Sequence, residues 1–381
     1  MTRAGAVALL LLTVARPAGA QVAVSANDAK VALVDGATTI VRNPPPDTVT
    51  IIDLSTSPPR VVAELRAPSS VIGPPQSVAI APDSSIALVT ASTRIDPADP
   101  AKTVPDDRVT VIDLTASPPA VVATLHAGRG ASGVSFNRTG TLALVANRME
   151  GTISVFTVSG KAVAAAGKVD LAAPESGPSH VVFSADGRMA LVTRNTDSLI
   201  SILSVNGAAV EYTKRDFAAG LRPYSIDVSP DGAIAVVGHV GAGPSGGADT
   251  VSVIDLASSP PRTVDHVSVG PTAEGVAMSP DGRYVAVTVM DGTNLPQASP
   301  FFKPSGRLTI LAVKGRTLAR AAEAPVGKWC QGAAWSPDSR RVLVQCMVER
   351  EILIFGFDGV RLTPAGAIKV SGGPAGIRTA R

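Results

Sequence analysis

Three stretches of the chain are near copies of one another: Val49-Thr50-Ile51-Ile52-Asp53-Leu54, Val109-Thr110-Val111-Ile112-Asp113-Leu114 and Val251-Ser252-Val253-Ile254-Asp255-Leu256. Each runs into a Ser-Pro-Pro turn (57–59, 117–119, 259–261) and then a second β-branched run. Looser versions stand at 153–158, 200–205, 308–313 and 352–357, which makes seven units. Ahead of each lies a hairpin signature, such as Ser229-Pro230-Asp231-Gly232 or Ser279-Pro280-Asp281-Gly282 between two short apolar runs. Proline presets φ at the second turn position, aspartate bonds its own backbone, and glycine accepts φ > 0. Taking the turn residue as anchor gives Asp28, Asp83, Thr139, Asp186, Asp231, Asp281 and Asp338, at intervals of 45 to 57 residues.

Each interval holds four short strands, A to D, and no helical 3.6-residue pattern. A lone four-stranded sheet with two apolar faces is unstable in water; seven set radially cover one another and shorten the exposed edges. The predicted fold is therefore all-β, a seven-bladed β-propeller of four-stranded antiparallel blades, forming one domain over residues 21–381. A parallel β-helix has coils of about half this length and lacks the hairpin turns. Composition agrees: 35 glycines and 31 prolines in 381 residues exceed the usual share of roughly 12%, while 45% hydrophobic residues exclude disorder as the cause. A net charge of +3 excludes binding to nucleic acid or anionic lipid by bulk charge, and no such partner is expected.

Residues 1–20 read as a cleaved export signal. Arg3 precedes an uncharged, Leu-rich run of about 12 residues, too short for the roughly 20 that span a bilayer. Ala18-Gly19-Ala20 supplies the small residues of a cleavage site before Gln21. No later stretch reaches spanning length without charge or proline. The expectation is a periplasmic or secreted monomer with no integral membrane segment after cleavage.

In a propeller, the B–C loops and D–A connections share one face. The long B–C loops here are 36–47, 91–107, 240–249 and 291–306, whereas the turns of the other face are short. Counting seven residues back from each anchor gives the start of strand A, nearest the central channel: Gln21, Gln76, Ser132, Ser179, Tyr224, Glu274 and Gln331. The next position is small in most blades but His180 in the fourth, and Asp227 stands further along strand A of the fifth. Strand B ends add Arg148, Arg194 and His239 to the same mouth. The expected ligand-binding set is Gln76, Arg148, His180, Arg194, Tyr224, His239, Glu274 and Gln331. Arginine donates bidentately to anions, so the expected ligand is a small polar or anionic molecule, or a periplasmic protein. Glu274 and His180 are the candidate acid–base pair. His180 and Asp227 equally suit a buried neutral hydrogen-bond pair, and a hydrated tunnel accounts for polar lining by itself.

Cys330 and Cys346 lie eight residues either side of Asp338. In an A–B hairpin that places them opposite each other, as a disulfide in an exported chain. The histidines show no metal-ligand spacing, and no Cys-x-x-Cys-His run, P-loop or Gly-x-Ser-x-Gly elbow occurs, so no metal and no cofactor is predicted. Trp329 and Trp335 are read as core, and Phe301-Phe302 as folded onto the adjacent blade or exposed as a lid. Residues 372–378 resemble another opening A strand, which competes with Gln21 to Ser25 for the closure of blade one.

The segments 279–288 (Ser-Pro-Asp-Gly-Arg-Tyr-Val-Ala-Val-Thr) and 250–256 closely resemble the YVTN-type β-propeller repeat of exported bacterial proteins and of lactonase-like (6-phosphogluconolactonase-like) propellers. That resemblance implies the fold over 22–378; its recurring residues are turn and core residues, so it leaves function open. The leading expectation is an exported propeller binding a small ligand or protein through its loop-rich channel face, without catalysis. The first alternative is a lactonase-like hydrolase of a sugar or organic-acid lactone. The second, an auxiliary subunit of a periplasmic redox enzyme, follows from family analogy alone.

Overall fold

The computed structural model describes residues 21–243 and 247–380; the expected export signal, residues 1–20, lies outside them. Every regular element among the described residues is a strand, and seven four-stranded antiparallel sheets form a seven-bladed β-propeller. Blade three shows the pattern: strands A (Ala131–Phe136), B (Leu142–Asn147), C (Thr152–Ser159) and D (Ala162–Asp170) follow one another in sequence and in space. Side chains alternate across a strand. Leu142, Leu144 and Ala146 thus enter the core shared with blade four, while Ala143 and Val145 enter that shared with blade two. Strand D, at the rim, is largely exposed.

This two-sided burial recurs at all seven blade junctions, each of which carries its own apolar cluster. Between blades six and seven, Trp335 donates Nε1–H to the carbonyl of Ala277 at 2.9 Å. Tyr284 and Phe357 meet edge to face beside it, with ring centroids 4.9 Å apart. Aromatic burial with a satisfied polar tip makes this junction costly to disturb, by about 3–5 kcal/mol for truncation of Trp335 to alanine. The anchor turns form as their residues dictate. Ser229 Oγ and the Ala233 amide both donate to Asp231, holding its carboxyl below the usual range, while Gly232 sits at φ 74°.

Ring closure corrects the expected position of Gln21. Blade one is built from Gly373–Thr379 as strand A, Val22–Asp28 as strand B, Thr48–Asp53 as C and Arg60–Arg66 as D. The channel position of blade one therefore belongs to Ala375, and Asp28 ends a B strand instead of marking an A–B turn. Pairing the two ends of the chain within one sheet locks the ring by hydrogen bonds, which the reverse assignment lacks. The first B–C excursion is longer than expected, running from Asp28 to Thr48 and containing an extra hairpin, Val31–Val34 with Ala37–Ile40.

Candidate functional site

Strand A of six blades carries one extra residue relative to its B partner, at or beside the channel position. A bulge re-aims the side chain out of the sheet. It turns Ser132, Ser179, Tyr224, Glu274 and Gln331 toward the axis.

The channel they surround is stopped by a connection the sequence did not single out. Residues 67–77 join strand D of blade one to strand A of blade two and make the longest of the D–A connections. At one end, Asp28 accepts the Val71 amide at 2.8 Å, and Asp47 accepts that of Ser69 at 3.1 Å. The buried ammonium of Lys30 bridges both carboxylates, 3.2 and 2.8 Å away. In the middle, the Gly73 amide donates to the Tyr224 hydroxyl at 3.1 Å. At the other end, the Ile377 amide donates to the Pro75 carbonyl at 3.0 Å. A Cβ on Gly275 or Gly332 would stand 3.1 or 3.0 Å from the Pro75 ring, so the stopper rests directly on these backbones.

Above the stopper, on the loop-rich face, lies a cavity of about 260 Å³ walled by Arg148, Asn195, Arg222, Tyr224, Glu274 and Trp329. The blade-one hairpin leans over it, bringing Leu33, Gly36 and Thr38 into the lining. Its tip is fixed to the 291–306 loop by the Gln297 amide, which donates to Asp35 at 2.8 Å. Gly36 has φ 77°, and a Cβ there would fall within 2.5 Å of the Leu295–Pro296 backbone, so the contact requires glycine.

Glu274 is the chemically distinctive group. Its Oε1 accepts from Gln331 Nε2 at 3.1 Å, and its Oε2 takes no hydrogen bond from the protein. Burial pushes its pKa up to about 8, against the opposing pull of Gln331 and Arg148. Arg148 stacks over the Tyr224 ring at 5.4 Å, donates to Asn195 Oδ1 at 2.9 Å and contacts Ser179 Oγ. Burial also raises the Tyr224 pKa, so its hydroxyl stays protonated. A neutral carboxyl, an oriented guanidinium and a phenol thus share one small cavity.

Arg148, Tyr224 and Glu274 are brought together as the sequence suggested, with Gln331 bonded to Glu274 from behind, whereas Gln76 belongs to the stopper and reaches across the channel to the Val276 carbonyl. Three further expected members lie elsewhere. Arg194 is turned into blade four and engaged by Asp216 at 2.9 Å and by Asp197. His239 is buried against Ser252, 2.9 Å away, with its pKa pushed down to about 4 by burial. His180 is fully buried in the channel wall against Gly133, among the backbones of Val134 and Ile226, and burial holds its pKa near about 3. It does not line the loop-face cavity, so it is not placed there as an acid–base partner of Glu274.

Cys330 and Cys346 face each other in register and are bonded, with Cα atoms 4.0 Å apart. Trp335 is core, whereas Trp329 also walls the cavity. Phe301 is half exposed and Phe302 partly covered.

Residues 134–299, which include Arg148, Tyr224 and Glu274, match the family model described as a seven-bladed β-propeller lactonase. No curated protein matches the chain in sequence. Several solved structures share the fold. The periplasmic gluconolactonase of Pseudomonas aeruginosa is 17% identical with a TM-score of 0.67, covering 94% of this chain and 99% of that one. A candidate 6-phosphogluconolactonase from Bacteroides fragilis is 16% identical with a TM-score of 0.69, covering 96% and 100%. Hydrazine synthase of Kuenenia stuttgartiensis is 20% identical with a TM-score of 0.59, covering 76% and 78%.

Proposed function

We propose that the chain is an exported hydrolase of a small sugar-acid or organic-acid lactone, acting in the loop-face cavity. The observation that carries this reading is the convergence of Glu274, with one oxygen unbonded by protein, and Arg148 on a cavity sized for a single small ring. The partial match to a lactonase family supports it, and the buried disulfide supports an oxidising compartment. In the reaction, ionised Glu274 takes a proton from water as its oxygen bonds to the lactone carbonyl carbon. Arg148 stabilises the charge that develops on the carbonyl oxygen. The ring C–O bond then breaks, and protonated Glu274 returns the proton to the leaving alkoxide, giving the hydroxy acid.

A second reading, binding without turnover, is favoured by the isolation of His180, which leaves Glu274 without a partner base. A panel of γ- and δ-lactones, corrected for spontaneous opening, separates the two. Turnover removed by Glu274→Gln supports hydrolysis. Thermal stabilisation by the hydroxy acid without turnover supports binding alone.

A further inference from the structure

Blades one and six are not neighbours, yet their long loops meet across blade seven. The blade-one hairpin turns on Asp35-Gly36, with φ of 45° and 77°, as a tight two-residue type I′ turn. At its base, the Val41 amide donates to the Lys30 carbonyl at 2.9 Å, and Val31 shares one buried apolar cluster with Val71 of the stopper, Met290 and Trp329. At its tip, the hairpin is tied to the blade-six loop by the Gln297–Asp35 hydrogen bond and the Gly36 contact. The same loop holds Trp329 of blade seven, whose amide donates to Thr293 Oγ1 at 3.1 Å. Hairpin, loop and Trp329 thus form one packed bridge, fixed at both ends, along one side of the loop-face cavity. The stopper closes the floor: Pro75 and Gln76 separate this cavity from a larger one of about 490 Å³ on the opposite face, walled by Ile80, Phe136 and Val182.

We infer that this bridge sets the substrate size of the loop-face site, admitting lactones with short ring substituents and rejecting those with long alkyl chains. The inference rests on the lactone reading for its substrates. The cavity volume, about 260 Å³, lies below the roughly 300–1,000 Å³ usual for small-molecule sites. A packed wall does not yield cheaply. Moving Leu33 away from the cavity means breaking the contacts at the tip or the apolar cluster under the base. A ring held at Glu274 and Arg148 therefore has room for a methyl group, whereas a longer chain meets Leu33 and Trp329 on the bridge side and the stopper below. Burial of extra methylenes would otherwise favour the longer chain, so preference for the shorter one is the signature of the wall.

The ratio of kcat/KM for δ-hexalactone to that for δ-decalactone, measured on the whole protein, tests this. Wild type should favour the methyl-substituted ring over the pentyl-substituted one by at least about tenfold. Val31 and Ile40 are register partners, so two glycines can replace residues 32–39 as a tight turn. In that variant the ratio should fall below about threefold. Gly36→Val, whose side chain forces hairpin and loop apart, should lower the ratio in the same direction and carries the test if the shortened chain does not fold. Thermal stabilisation by 5-hydroxyhexanoate and 5-hydroxydecanoate makes the same comparison without turnover. Preference for the shorter acid without turnover of either lactone, lost in the variants, would end the hydrolase reading and keep the bridge as the size limit. No wild-type preference for the shorter chain, a preference that every folded variant keeps, or neither turnover nor stabilisation would each overturn the inference.

Discussion

Gln76 Nε2 donates to the carbonyl of Val276 at 3.1 Å, although the two residues belong to blades two and six. Those blades are not neighbours, so the bond crosses the channel instead of joining a blade junction. With Pro75 lodged against Gly275 and Gly332, it makes the 67–77 connection a strut as well as a stopper. One axial segment thus separates two cavities of different character, a polar one toward the loops and an apolar one toward the turns.

The strut depends on the buried Asp28–Lys30–Asp47 network at its start. Replacing Asp28 with alanine removes the acceptor of the Val71 amide and half of the charge facing Lys30. Because Asp47 remains, the loss in urea unfolding should be roughly 2–3 kcal/mol, below the ~3–5 of an entirely unpaired buried charge. A change under about 0.5 kcal/mol would mean that the network does not hold the segment.

Closure by the C-terminal strand predicts that a chain ending at residue 370 fails to form a closed ring. Removing Gly373–Thr379 strips Val22–Asp28 of one partner and uncovers Ala23 and Ala26. Size-exclusion chromatography should show aggregate, and thermal unfolding should lose its single sharp transition. A monomer with full-length stability would contradict the assignment of blade one.

Stability should fall at both ends of the pH range for separate reasons. Glu274 is protonated in the folded state up to about 8 but ionises from about 4.5 when unfolded. The folded state therefore holds the extra proton, and stability drops by about 1.4 kcal/mol per pH unit between those values from this group alone. Glu274→Gln should abolish that slope. His180 and His239 work oppositely: folded pKa values near about 3 and about 4 mean that unfolding takes up protons below 6.5. Stability is retained above 6.5 and lost as pH falls below it. Urea midpoints at several pH values for wild type and Glu274→Gln measure both effects.

The Cys330–Cys346 bridge closes a short loop, with a separation of 16 residues, within one hairpin. The double Cys→Ser variant should lose about 3 kcal/mol on chain-entropy grounds while keeping the fold, since the partners stay in register. Equal stability of the two proteins in denaturant would show that the bridge contributes nothing beyond the strand pairing.

The blades were legible because two-sided strand burial and related turn chemistry recur around the chain; the Ser-Pro-Asp-Gly turns at 229–232 and 279–282 and the Ser-Pro-Pro turns at 57–59, 117–119 and 259–261 mark five hairpins outright. Tyr224, Glu274 and Gln331 were legible because a fixed offset from an anchor maps onto a fixed depth in the channel. Gln21 was misplaced because strands A and B carry the same alternation of small and β-branched residues, and only long-range pairing tells them apart. Arg194 and His239 occupy the right rim, but their side chains are claimed by Asp216 and Ser252, partners set by the local sheet. The stopper left one local sign, a D–A connection longer than its six counterparts and containing Pro74-Pro75. Its path across the axis depends on contacts with blades five, six and seven, which no local pattern encodes.

The most direct test of the proposed chemistry is the rate of δ-gluconolactone opening by wild type and Glu274→Gln across pH 6 to 9, with spontaneous hydrolysis subtracted. Enzymatic kcat/KM should rise about tenfold per unit below 8 and level off above it, and Glu274→Gln should fall by about 10²–10⁴-fold. Equal rates for the two proteins, or a wild-type profile flat through 8, would contradict a role for Glu274 as the base.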